Sequence, residues 1–194
     1  MRFMKRAASI LLAIVCAFTM CACGTTDDGS KEDFTDVSAK IDETELPEDE
    51  IIFIKRYMNG AWGYEDKGYF VDSDGAAYAF DFSQDTYDVV IEEENFLDKL
   101  RTLRADTEPF ATVDREILQE MYYYGMQIDP EAECSEESMA CDMGQIMLIF
   151  HNTDTDECIV CYEDGDVIRE LQDVNAHRVV DIYEKKMEDK LFGM

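Results

Sequence analysis

The chain has 194 residues, with 45 Asp and Glu against 17 Lys and Arg, and a formal net charge of −28. A charge of that size opposes association with nucleic acid or bare anionic lipid, so no nucleic-acid partner is expected. The length allows one ordinary domain, large enough to bury a core without disulfides, together with a leader or tail.

In chain order, Arg2, Lys5 and Arg6 precede an apolar run over residues 7–20. That run of about 14 residues is shorter than the roughly 18–20 needed to span a bilayer as a stable helix. Met20-Cys21-Ala22-Cys23-Gly24 follows. A basic start, a short apolar segment and small residues before a cysteine resemble the export signal of bacterial lipoproteins. Met20 stands where Leu is the commoner residue, and the resemblance covers this leader alone. It implies that residues 1–22 are a signal peptide and that Cys23 is the site of lipid attachment. The chain would then be tethered by fatty acyl groups to the extracytoplasmic face of the cell membrane. Ordinary signal cleavage nearby is the alternative, and would release an exported protein. Cleavage removes three of the 17 basic residues and no acidic ones, which leaves 14 against 45 and a charge of −31.

Residues 23–50 read as an acidic flexible linker after the lipidated cysteine. Phe34, Val37, Ile41 and Leu46 are the only large aliphatic or aromatic side chains in 24–50. So few cannot offset the entropy of ordering the segment. A helix over 30–45 is the competing reading, with apolar positions too sparse to dock firmly.

Residues 51–194 read as a single α+β domain. Ile51-Ile52-Phe53-Ile54 has strong strand propensity. Tyr69-Phe70-Val71 and Tyr78-Ala79-Phe80-Asp81-Phe82 flank Asp72-Ser73-Asp74-Gly75, the mark of a hairpin turn. Helical spacing follows in Phe96, Leu97, Leu100 and Leu103. It recurs in Ile117, Leu118, Met121 and Tyr122, with Thr112 as the expected N-cap and Gly125 as the stop. Strands over 145–151 and 158–163, joined by a polar loop, form a second hairpin, and 167–171 adds a further strand. Ala176, Val179, Val180, Tyr183 and Met187 make a last amphipathic stripe, with Lys185, Lys186 and Lys190 near its end as the helix dipole favours. Hairpins without βαβ spacing predict an antiparallel sheet with about three helices packed on one face.

Once the leader and Cys23 are set aside, Cys134, Cys141, Cys158 and Cys161 remain as candidate disulfide partners in an exported domain. Cys158 and Cys161 are three apart in a strand and point to opposite faces, so they are not expected to bond each other. Cys141 with Cys161 is the favoured pair, leaving Cys134 with Cys158; four reduced thiols are the alternative. Ile159-Val160 is a good strand and a poor knuckle, which argues against a four-thiolate zinc site and a redox CxxC. An EF-hand register centred on Gly75 puts Phe70 at the first ligand position, where it cannot ligate. No metal or cofactor is expected.

Catalytic motifs are thin. His151 and His177 are the two histidines, and no GxSxG, HExxH or Gly-rich phosphate loop occurs. His151 reads as an exposed loop residue, able to act with a thiol only if folding brings one to it. Trp62 and Tyr64 among glycines, and Tyr122-Tyr123-Tyr124 on a helix, are the candidate contact surface for sugar or a protein partner. The reading favours a non-catalytic binding or envelope-accessory module, whose mark would be an exposed aromatic patch without a deep polar pocket. The alternative is an envelope-associated hydrolase or other enzyme.

Overall fold

The computed structural model describes residues 34–61, 63–83, 96–138 and 142–193. Within them the strands are β1 (Ile51–Asn59), β2 (Glu65–Asp72), β3 (Ala76–Asp81), β4 (Ala111–Thr112), β5 (Cys134–Ser138), β6 (Gln145–Asn152), β7 (Glu157–Gly165) and β8 (Val167–Leu171). They form one sheet in the order β4-β3-β2-β1-β6-β7-β8-β5. Every pair is antiparallel. The expected α+β class with an antiparallel sheet is what the chain forms. The β1–β6 pairing fuses the two expected hairpin groups into one continuous sheet.

The helices are α1 (Phe34–Asp42), α2 (Phe96–Asp106), α3 (Arg115–Gly125), α4 (Val174–Ile182) and α5 (Glu188–Phe192), with a π turn over Tyr183–Met187 between the last two. About three helices are expected on one face, and α2 is the helix that lies on the other. On one face α3, α4 and the terminal helix bury Leu118, Met121, Val179, Ile182 and Met187 against Phe53, Val71 and Phe150. On the other, α2 buries Phe96, Leu97 and Leu100 against Ile54, Phe70 and Ile149. A bulge in β1 between Ile51 and Phe53 explains why four consecutive residues there are all buried. It sends Ile51 and Ile54 to the α2 face and Ile52 and Phe53 to the α3/α4 face. A strand covered on both sides reads as a continuous apolar run rather than an alternating one.

Two close approaches depend on glycine. Gly75 closes the β2–β3 turn at φ +86°, where a Cβ would lie 2.5 Å from the Val113 carbonyl oxygen. Gly125, the last residue of α3, sits against the fully buried Phe150 ring, and a Cβ there would lie 2.1 Å from a ring carbon. α3 therefore reaches the sheet at van der Waals contact through backbone.

Two further expectations differ from the structure. The segment read as a flexible linker contains α1, with Val37 and Ile41 half-buried one turn apart. Beyond α1 it is fastened to the domain: Leu46 packs on the core, Gln119 Nε2 donates to the Thr44 carbonyl at 2.8 Å, and Arg104 pairs with Asp49 at 2.6 Å. Thr112 lies in β4, and the N-cap of α3 is Asp114, whose carboxylate meets Lys190 at 2.7 Å. At α4, Asp173 caps as Asp usually does, accepting the Asn175 and Ala176 amides.

Candidate functional site

The last helix and the β4 end of the sheet bring three aromatic rings together. Phe110 precedes β4, Phe192 closes α5, and Tyr69 rises from β2. Phe110 and Phe192 stack with centroids 6.4 Å apart, and each meets the Tyr69 ring edge-on, at 6.0 and 5.6 Å. Both phenylalanines are large apolar groups left in water, 45% and 49% exposed. Beside them lies a shallow recess of about 460 Å³, bordered by Ala79 and Phe80 of β3 and rimmed by Lys67 and Asp81. Gly68 also borders it, where a Cβ would lie 2.0 Å from the Lys55 carbonyl oxygen.

A closed polar cluster fixes this corner from below. Tyr69 Oη and Lys55 Nζ donate to Tyr183 Oη at 2.9 and 2.8 Å, and Tyr183 donates onward to Glu188 Oε1 at 3.0 Å. Tyr183 and Glu188 are five residues apart. The π turn, in which the Glu188 amide bonds the Tyr183 carbonyl, brings them to one side of the helix. Burial pushes both tyrosine pKa values well above the usual phenol range. Each phenol stays protonated at neutral pH and serves as a donor in the scaffold.

The opposite face carries a second cluster. Arg56 grips Asp66 with two bonds of 2.8 and 2.9 Å, and its guanidinium lies 4.0 Å from the Phe96 ring centroid. Tyr64, a candidate contact residue, donates to Asp66 Oδ2 at 3.1 Å. Burial first, and then the Asp66 charge, push its phenol up to about 12.

The other tyrosine candidates are also partly absorbed by the fold. Tyr122 tilts against Phe150 and shares a hydrogen bond of 2.8 Å with Thr153, while Tyr123 and Tyr124 pack edge-on against each other. All three are half-buried. Trp62, Cys23 and Cys141 lie outside the described residues.

Cys134 is exposed, Cys158 half-buried and Cys161 buried, and Cys141, the favoured partner of Cys161, lies outside the described residues. Register explains why Cys134 misses Cys158. Cys134 pairs with Leu171 in β8, and the β8–β7 register matches Glu170 to Tyr162. Cys134 is therefore two strands across from β7 and level with Cys161, not with Cys158. Cys161 occupies a bulge opposite Leu148 and Ile149, facing the core, and burial pushes its thiol up to about 12.

His151 corrects another expectation. It is fully buried, with Nδ1 2.7 Å from the Ile51 carbonyl oxygen and Nε2 3.1 Å from Asp156 Oδ1. Arg101 donates to the same Asp156 oxygen at 2.6 Å and reaches Glu50 at 3.4 Å. The Arg101 bond, ahead of the one from His151, holds the Asp156 carboxyl below its usual range. Folding does place a thiol across from this histidine, because Cys158 is its partner in the β6–β7 register. Both ring nitrogens lie within hydrogen-bond distance of oxygen atoms, so the imidazole acts as a tie between strand, turn and α2. Among the described residues, no three His, Cys, Asp or Glu side chains converge on a point suited to a metal ion.

Comparison with protein-family models, curated proteins and solved structures finds no match. The aromatic corner escaped sequence reasoning because Phe110 and Phe192 belong to no periodic pattern. The usable signal was negative: each is a large ring off any stripe, Phe110 after Pro109 in a polar stretch, Phe192 one position past Leu191.

Proposed function

We propose that this chain is a lipid-anchored, extracytoplasmic binding module that engages a partner through the Phe110–Phe192 corner. The observation that carries the reading is this pair of stacked, half-exposed rings, held rigid by the Tyr69–Tyr183–Glu188 cluster beneath them. Exposed aromatic side chains with immobile surroundings are what protein contact surfaces use, since little conformational entropy is lost on docking. The resemblance of the leader to a lipoprotein export signal supports the location, and the large negative charge favours partners with basic groups.

Location and binding are tested separately. In the native host, mass spectrometry of the mature N-terminus should find an acylated Cys23 and no trace of residues 1–22; an unprocessed start overturns the location. Partner capture from intact cells should then be lost in the double variant Phe110→Ala/Phe192→Ala and kept in Tyr123→Ala. Equal capture by all three proteins would remove the corner from consideration.

A further inference from the structure

Among the described residues, the corner adjoins an uncompleted edge of the sheet. β4 pairs only with Ala76 and Ala77, while β3 continues to Asp81. Main-chain groups alternate sides along a strand. Ala77 accepts from the Phe110 amide, outward from β2, and Phe82 donates inward to the Asp66 carbonyl. The amide and carbonyl groups of Ala79 and Asp81 therefore point away from β2, where no strand among the described residues pairs with them. Continued in the same register, β4 would place residue 109 opposite Ala79. That residue is Pro109, which has no amide hydrogen to give. The ladder stops there for a chemical reason, and the recess begins at the same residues, Ala79 and Asp81.

We infer that this edge and recess together accept an extended peptide segment of a partner protein, added beside β3 in line with β4. This rests on the binding reading above and names the partner's chemistry. Strand addition takes its affinity from main-chain bonds and its specificity from alternate side chains. Here the side chains on the Phe110–Phe192 side are apolar. Basic residues nearby answer Asp81 and the net charge of −28. The same charge disfavours a second copy of this chain as the occupant, since two such surfaces repel.

The probe is a fluorescein-labelled, end-blocked eight-residue peptide of alternating valine and lysine, titrated against the full chain in detergent. Saturable binding is expected, weakened at least tenfold when the bonding amides are N-methylated and at least tenfold when glutamate replaces lysine. Ala79→Pro removes an outward donor and should leave the melting temperature unchanged while weakening the peptide at least tenfold. No binding, equal binding by the N-methylated peptide, or equal binding by Ala79→Pro overturns the inference. A large fall in melting temperature in Ala79→Pro also overturns it, by showing that the chain uses this edge internally. Sedimentation showing a dimer that Ala79→Pro dissolves assigns the edge to a second copy instead. If Phe110→Ala/Phe192→Ala abolishes capture from cells while Ala79→Pro does not, strand addition fails and the aromatic corner stands.

Discussion

Lys55 and Arg56 are consecutive in β1, yet they serve opposite faces of the sheet and do so in different ways. Arg56 and Asp66 are sealed under α2, their side chains 10% and 0% exposed. Lys55 reaches Tyr183 and Glu188 from the edge of the terminal helix, with Lys55 and Glu188 27% and 32% exposed. Both tie a helical layer to the same strand. The difference lies in where water could go if one partner were lost. A sealed charge has no substitute ligand, whereas a half-exposed one is solvated at once.

Asp66→Ala breaks the comparison most severely. It strands the guanidinium against Phe96 with no counter-charge, and should cost about 3–5 kcal/mol. That is a large share of the roughly 5–15 kcal/mol that holds a domain together. A urea titration should show the midpoint collapse. The paired replacement Arg56→Met/Asp66→Leu should recover most of the loss, because no orphan charge remains. A double variant as unstable as the single one would show that the pair supplies geometry and not just neutrality.

Gly125→Ala probes the other face through shape alone. The added methyl has to displace the fully buried Phe150 ring. A cost of about 1–3 kcal/mol is expected, from overpacking. Thermal unfolding should report it without any dependence on salt.

Lys55→Met should be milder, at most about 1 kcal/mol. Tyr183 keeps its bonds to Tyr69 and Glu188, and the methionine stem still covers the ring. The wild-type advantage should shrink as salt is raised, since the lost partner is a half-exposed charge. A salt-independent loss would mean that Lys55 works through packing over the Tyr183 ring, from which its ammonium is 5.2 Å.

These clusters also show which parts of the fold can be read from sequence. Strands with a repeating pattern, such as Tyr78, Phe80 and Phe82, announce themselves, and so does the Asp72-Ser73-Asp74-Gly75 turn. β5 does not, because Cys134-Ser135-Glu136-Glu137-Ser138 carries no alternation of apolar residues. Its register with β8 is supported instead by ions, with Arg169 meeting Glu136 at 3.1 Å and Glu163 at 3.2 Å across two strand pairs. Composition argues against α1, the competing reading, because the helix buries little and is supported by local charge pairing such as Lys40 with Asp36. His151 was misread because nothing in its neighbours reveals an acceptor one hundred residues earlier, at the Ile51 carbonyl. The aromatic corner depends on the same kind of distant meeting, between residues 69, 110 and 192. Local pattern reaches elements, whereas sites made by return of the chain need the sheet order first.

The smallest expected effect concerns a buried carboxylate of a third kind. Asp66 meets a guanidinium, but Asp72 is held by main-chain amides, accepting from Asp74 at 3.1 Å and Ala76 at 2.9 Å. Burial raises its pKa, and those bonds together with the Arg104 charge only partly oppose that. A carboxyl whose folded-state value is raised binds its proton more tightly in the native chain than in the unfolded one. Its contribution to stability is then fully present below the ordinary value of about 3.9, and is lost as pH rises through the raised value. Asn keeps the oxygen that accepts both amides and never acquires the charge. Asp72→Asn should therefore melt close to wild type in acid and above it at neutral pH, with the gap opening as pH rises from about 4. A gap that closes over that range would mean that the two amides and Arg104 outweigh desolvation, which would make this turn resemble the sealed Arg56–Asp66 pair.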